Sequence, residues 1–200
     1  MSEIMTVTGP IKSNKLGFTL VHEHIYLDLM RDAWNRNNIL NDPELAYIEL
    51  KRYKKAGGVT LVDLTSSGLN ENDHIMFPGK KHAEAIREIA DRTGLNIVLG
   101  TGWYRETYYD RSLWEKKTDE IAEEIVRNIT HGIDGTSVQA GIIGEIGSQF
   151  NSVSPIEERI HRAAARAQKK TGLTFVTHST LGPVGLDQLD ILQDEGVDLR

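Results

Sequence analysis

Apolar runs and amphipathic segments alternate along this chain with a steady rhythm. Three junctions share one pattern: "KKAGGVTLVDL", "DRTGLNIVLG" and "KKTGLTFVTH". In each, a charged segment of helical spacing ends at Ala-Gly or Thr-Gly, and an apolar run comes almost at once. Gly57, Gly94 and Gly172 stand where a helix end calls for a left-handed residue. The runs after them are short, β-branched and apolar at successive positions. That pattern predicts strands of a parallel sheet covered by helices on both faces.

The helices can be placed from their caps. Asp42-Pro43 pairs an N-cap with proline at the first helical position, and Leu45, Ile48, Tyr53 and Ala56 mark the apolar side of the helix it opens. Ser154-Pro155-Ile156-Glu157 is a capping box with proline in its first turn. Further helices are predicted over 80–93, 118–131 and 186–195, with strands beginning near 19, 59, 96, 140 and 174. These are five β-α units, roughly 34 to 44 residues apart, and such alternation means a doubly wound sheet or a (β/α)8 barrel. A barrel of eight units needs about 250 residues or more. The expected fold is therefore α/β, a (β/α)8 TIM-barrel type of which the first five units are present. Without low-complexity segments or a Pro/Gly/Ser linker, residues 1–200 read as a single barrel domain, incomplete at its C-terminus.

Composition narrows the partners. The chain is 39% hydrophobic and 26% charged, with no apolar run long enough to span a bilayer. The N-terminus lacks the layout of a signal peptide, so a cytoplasmic location without a membrane partner is expected. A net charge of −6 argues against nucleic acid. The basic cluster "KRYKK" at 51–55 reads as the last turn of a helix, where cations complement the helix dipole. With no cysteine, any metal must be held by His, Asp or Glu.

Candidate chemistry sits at strand ends. In "TLVHEHI", His22 and His24 point to one side of a strand while Glu23 points to the other. Two imidazoles at the open end of a barrel can hold a divalent cation, or can be an ordinary hydrogen-bonded pair. "GIIGEIG" places Glu145 within an otherwise apolar strand, where a carboxylate must be protonated, ion-paired or metal-bound. "LTFVTH" brings His178 to the end of the fifth strand. That clustering favours metal. His74, His82, His131 and His161 fall in loops and helices and are expected to be mostly solvated. Asp63 either orients a ligating histidine or serves ordinary structural hydrogen bonding. No P-loop, dinucleotide-binding glycine pattern or nucleophile elbow is present.

"GFTLVHEHI", "TGWYRE", "HGIDGTSVQAGIIGEIG" and "FVTHST", in this order, resemble the phosphotriesterase family of the amidohydrolase superfamily. The likeness is nearest to its phosphotriesterase homology branch and runs from about residue 6 to the end. The resemblance implies a (β/α)8 barrel with two divalent metal ions, zinc in most members, at the C-terminal mouth. It makes His22 and His24 ligands of the more buried metal and His178 a ligand of the more exposed one. Glu145 takes the place of the carbamylated lysine that bridges the metals in many members, and is the catalytic carboxylate. The implied reaction is hydrolysis of a small ester or lactone, phosphorylated substrates included, by a hydroxide that the two metals activate, with phosphotriester turnover incidental. Tyr104 lines the substrate pocket. Arg105 and Tyr108 read either as solvated loop residues or as contacts for an anionic substituent.

The family's second histidine on the exposed metal and its metal-binding aspartate have no counterpart here. After His178 the candidates are Asp187, Asp190, Asp194 and Asp198, on the fifth helix and beyond. Two rival readings stand beside the leading one: a phosphate monoesterase of a His-x-His class, and an inactive metal-binding or partner-binding chain whose open edge is satisfied by self-association as a homo-oligomer.

Overall fold

A computed structural model of the chain describes residues 2–33, 36–70, 77 and 79–199. Five strands form one sheet: β1 (Phe18–Glu23), β2 (Gly58–Asp63), β3 (Asn96–Thr101), β4 (Ile142–Ser148) and β5 (Phe175–Ser179). All are parallel and lie side by side in chain order. That order decides between the two architectures left open by the pattern. A doubly wound sheet reverses its strand order at a switch point. A sheet that adds each strand beside the last, through a helix each time, curls into a barrel wall. The chain forms part of a (β/α)8 barrel.

The longer helices between and after the strands are α1 (Pro43–Lys55), α2 (His82–Thr93), α3 (Thr118–Thr130), α4 (Pro155–Thr171) and α5 (Gly185–Asp194). Asp42 starts α1 by accepting from the backbone N–H groups of Glu44 and Leu45, both at 3.0 Å. Gly94 and Gly172 end α2 and α4 in the left-handed region, at φ 68° and 71°. α1 differs: its cap is Ala56 in the right-handed region, and the positive φ of 102° comes one residue later at Gly57.

Two apolar layers hold the sheet to its helices. Leu61, Ile97 and Leu99 pack against Ile86, Ile89 and Ala90 of α2. Ile143 and Ile146 pack against Ile121 and Ile125 of α3 and against Ile160 and Ala164 of α4. Burying each of the leucine and isoleucine side chains contributes about 1.5–3 kcal/mol.

Packing corrects two readings of the sequence. The covered stripe of α1 is Ala46, Leu50 and Tyr53, at i, i+4 and i+7, whereas Leu45 is 54% and Ile48 47% exposed. α1 lies beside the edge strand β1, so an apolar pattern broad enough for two faces has a neighbour on one. Phe18 and Val21 of that strand are exposed as well. The histidines also differ from expectation. His131 is exposed, but His82 and His161 are buried, and His74 lies outside the described residues. The ring of His161 is enclosed because α4 packs against β4 and α3; its Nδ1 lies 2.8 Å from the Glu157 carbonyl oxygen, as a neutral donor.

Burial pushes His161 down to about 4 from an ordinary 6.5. Between those values the unfolded chain takes up a proton and the folded chain does not, so stability is full above pH 6.5 and falls as pH drops towards 4. The loss across that window amounts to roughly 3 kcal/mol. Urea midpoints at pH 7 and pH 4.5 should show a smaller difference for His161→Leu than for the wild type.

Candidate metal centre

The centre is built from the C-terminal ends of β1 and β5 and from the middle of β4. β1 delivers His22, and His24 comes one residue past its end. β4 carries Glu145 at 2% exposure, and its main chain is held from the β2 side: Glu145 N–H faces the Leu64 carbonyl at 3.5 Å and Ser66 Oγ donates to the Glu145 carbonyl at 3.1 Å. Two residues on, Gly147 N–H donates to the Tyr104 carbonyl, and a Cβ at Gly147 would meet that oxygen at 2.5 Å. Glycine therefore lets the loop carrying Tyr104 lie directly on the end of β4.

His22 Nε2 lies 3.4 Å from Glu145 Oε2, and His24 Nε2 lies 3.4 Å from Glu145 Oε1. One donor atom from each of the three residues falls within 4.8 Å of the others. A tetrahedral zinc with ligands at about 2.0–2.1 Å keeps its donors about 3.4 Å apart, so the donor set fits a divalent cation in chemistry and in spacing. His178 approaches the same carboxylate oxygen as His22, its Nδ1 2.9 Å from Glu145 Oε2. Burial lowers the His24 pKa below the ordinary histidine value, against the opposing pull of Asp63 and Glu145. A neutral imidazole is the form that ligates metal.

A second ring of contacts fixes these side chains. His24 Nδ1 lies 3.0 Å from Thr65 Oγ1. Asp63, fully buried, accepts from Thr65 N–H at 2.9 Å and from Ile25 N–H at 3.2 Å, so it joins the two loops that frame His24. Tyr104 Oη is 2.9 Å from His178 Nε2, and Gln188 Nε2 of α5 donates to the His178 carbonyl at 2.8 Å. Arg105 is 7% exposed, its guanidinium 5.1 Å from the Tyr104 ring centre and 5.6 Å from that of Tyr108. The reading of Arg105 and Tyr108 as solvated loop residues is thus overturned, because aromatic stacking folds the loop inward.

The structure brings His22, His24, Glu145, His178, Tyr104 and Arg105 to one end of the sheet. Asp187, Asp190 and Asp194 lie on α5, and among the described residues none of them joins a group of three metal-ligating side chains. Thr65, Ser66 and Gln188 are contributors that sequence reading missed. "DLTSSG" lies at the end of β2 and just beyond it, and the rule that barrel strand ends face the site would have singled it out.

The sequence profile of the phosphotriesterase family matches residues 2–200. The chain belongs to the phosphotriesterase family. Within it, the chain is 34% identical over 183 residues to the phosphotriesterase homology protein of Escherichia coli, covering 92% of this chain and 59% of that protein. The crystal structure of that relative, with phosphate in its active site, superposes with a TM-score of 0.82 at 32% identity over 92% of this chain and 60% of the other. An aryldialkylphosphatase of Saccharolobus solfataricus is 34% identical over 196 residues, 94% of this chain and 58% of the relative. A structure from the engineering of organophosphate hydrolysis on a weak promiscuous lactonase template gives a TM-score of 0.79 at 29% identity, over 98% of this chain and 61% of the other. The chain thus spans roughly three-fifths of the length of the family relatives it matches.

Removing the hydroxyl that faces His24 should loosen any metal held by its Nε2. Thr65→Val is expected to weaken divalent-metal affinity by about 10- to 100-fold, read by competition with a chromophoric chelator.

Proposed function

We propose that this chain carries the metal-binding part of a hydrolase acting on a small ester or lactone. The observation that carries the reading is the convergence of His22, His24 and His178 on the buried Glu145 carboxylate. We read the group as a site for two divalent cations, with zinc the metal that its nitrogen and oxygen donors favour. His22 and His24 would hold one and His178 the other, with Glu145 offering its carboxylate to both. When bound, such metals supply Lewis acidity and bring water into a reactive state at neutral pH.

The chain's own residues do the rest. Asp63 and Thr65 keep the His24 ring turned with Nε2 towards Glu145, the Nδ1–H donating to the Thr65 hydroxyl. Tyr104 holds His178 Nε2 and lines the space where an electrophile would sit. Arg105, its guanidinium close to two tyrosine rings, would meet an anionic substituent on those substrates that carry one. Phosphotriester turnover would be incidental to hydrolysis of the ester or lactone. The phosphate in the E. coli relative's structure supports a second reading, hydrolysis of phosphate monoesters.

Two measurements test the proposal. Glu145→Gln should lower zinc per chain about tenfold or more by elemental analysis, and abolish any hydrolysis with it. With zinc-loaded wild type, turnover of dihydrocoumarin should exceed that of 4-nitrophenyl phosphate by about tenfold or more; the reverse order would favour the monoesterase. Unchanged metal content in Glu145→Gln would sink both readings.

A further inference from the structure

Glu157 is fully buried at the start of α4, away from the three histidines. Part of its job is ordinary. As the third helical residue it accepts from Ser154 N–H at 3.0 Å, closing a capping box with the Ser154 hydroxyl. Two other helices of this chain carry a glutamate in the same place. Glu84 accepts from Lys81 N–H at 3.0 Å and Glu120 from Lys117 N–H at 2.6 Å, and neither is buried.

Glu157 does more than those two. Its Oε1 also accepts from Glu106 N–H at 3.1 Å and from Gln149 N–H at 3.1 Å, with Oε2 3.3 Å from the latter. Glu106 comes directly after Tyr104 and Arg105 in the loop after β3. Gln149 comes directly after β4, and its side-chain oxygen accepts from Arg105 Nη1 at 3.3 Å while its side-chain nitrogen donates to Thr107 Oγ1. One carboxylate thus ties together the loop after β3, the loop after β4 and the first turn of α4. Hydrogen bonds to an ionised acceptor are the strong ones, and a buried anchor has no water to replace a lost partner.

We propose that Glu157 is a positioning residue: it clamps the Tyr104–Arg105 loop in the orientation that faces substrate, without touching substrate or metal. This rests on the reading in which Tyr104 and Arg105 line the substrate space. The clamp predicts an effect on substrate capture and none on the metal.

Glu157→Gln keeps the shape but turns one acceptor into a donor aimed at N–H groups. Ser154→Ala serves as the control that removes the cap contact alone. By hydrogen exchange, Glu157→Gln should exchange about tenfold faster or more at 104–109 and 149–153, with 20–25 and 175–179 unchanged. Zinc per chain should stay at the wild-type level. For dihydrocoumarin, KM should rise about tenfold with kcat within about threefold of wild type. Ser154→Ala should leave those loops and KM as they are. The clamp is refuted by unchanged exchange at both loops, by exchange accelerated equally everywhere, or by a fall in kcat at constant KM, the mark of fewer folded molecules. Exchange is read without turnover. A wild type that hydrolyses no lactone would overturn the proposed function and leave the exchange arm to decide the clamp.

Discussion

The carboxylate of Glu145 is the constraint around which the rest of this structure is arranged. At 2% exposure in the middle of a barrel strand, it cannot be left to water. A buried charge is tolerated when paired and hydrogen-bonded on every side. Three imidazole nitrogens, from the ends of β1 and β5, gather on it at 3.4, 3.4 and 2.9 Å, a donor set that a divalent cation would complete. That requirement explains why β1 ends in paired histidines and why β5 ends in one.

Around this centre the polar residues form a graded support. Asp63 holds Thr65, and Thr65 faces His24. Gln188 of α5 grips the backbone of His178 from behind. Each support comes from the end of a strand or from the loop or helix after it. Side chains at the open end of a barrel are thus fixed by elements whose packing is secured elsewhere, in the Ile and Ala layers under α2, α3 and α4. The division of labour lets the mouth carry costly polar groups while the apolar layers supply stability.

Much of this was legible in the chain. The β-α rhythm predicted the strands within a few residues, because buried parallel strands are apolar at successive positions and helices have caps. His22, His24, Glu145 and His178 stood out because polar groups in apolar strands need a reason. The roles that went unread were of two kinds. Thr65, Ser66, Glu157 and Gln188 are polar residues in polar surroundings, and a sequence does not say whether such a residue meets water or a buried backbone. His161 and the covered face of α1 depend on which neighbours pack there, a property of topology. Leu45 and Ile48 fit a helix stripe as well as Ala46 and Leu50 do; the edge position of β1 decides between them.

The sequential order of the strands has a kinetic meaning. Each β-α unit can form from contacts with the unit before it, so most of the sheet assembles from neighbours in the chain. The centre is the exception, because its side chains come from positions 22, 24, 145 and 178 and meet across the sheet. Pairings so distant in sequence carry the largest loop-closure cost and come late. The histidines of β1 are therefore made first and partnered last, and a closed centre is a sign that every unit between them has found its place.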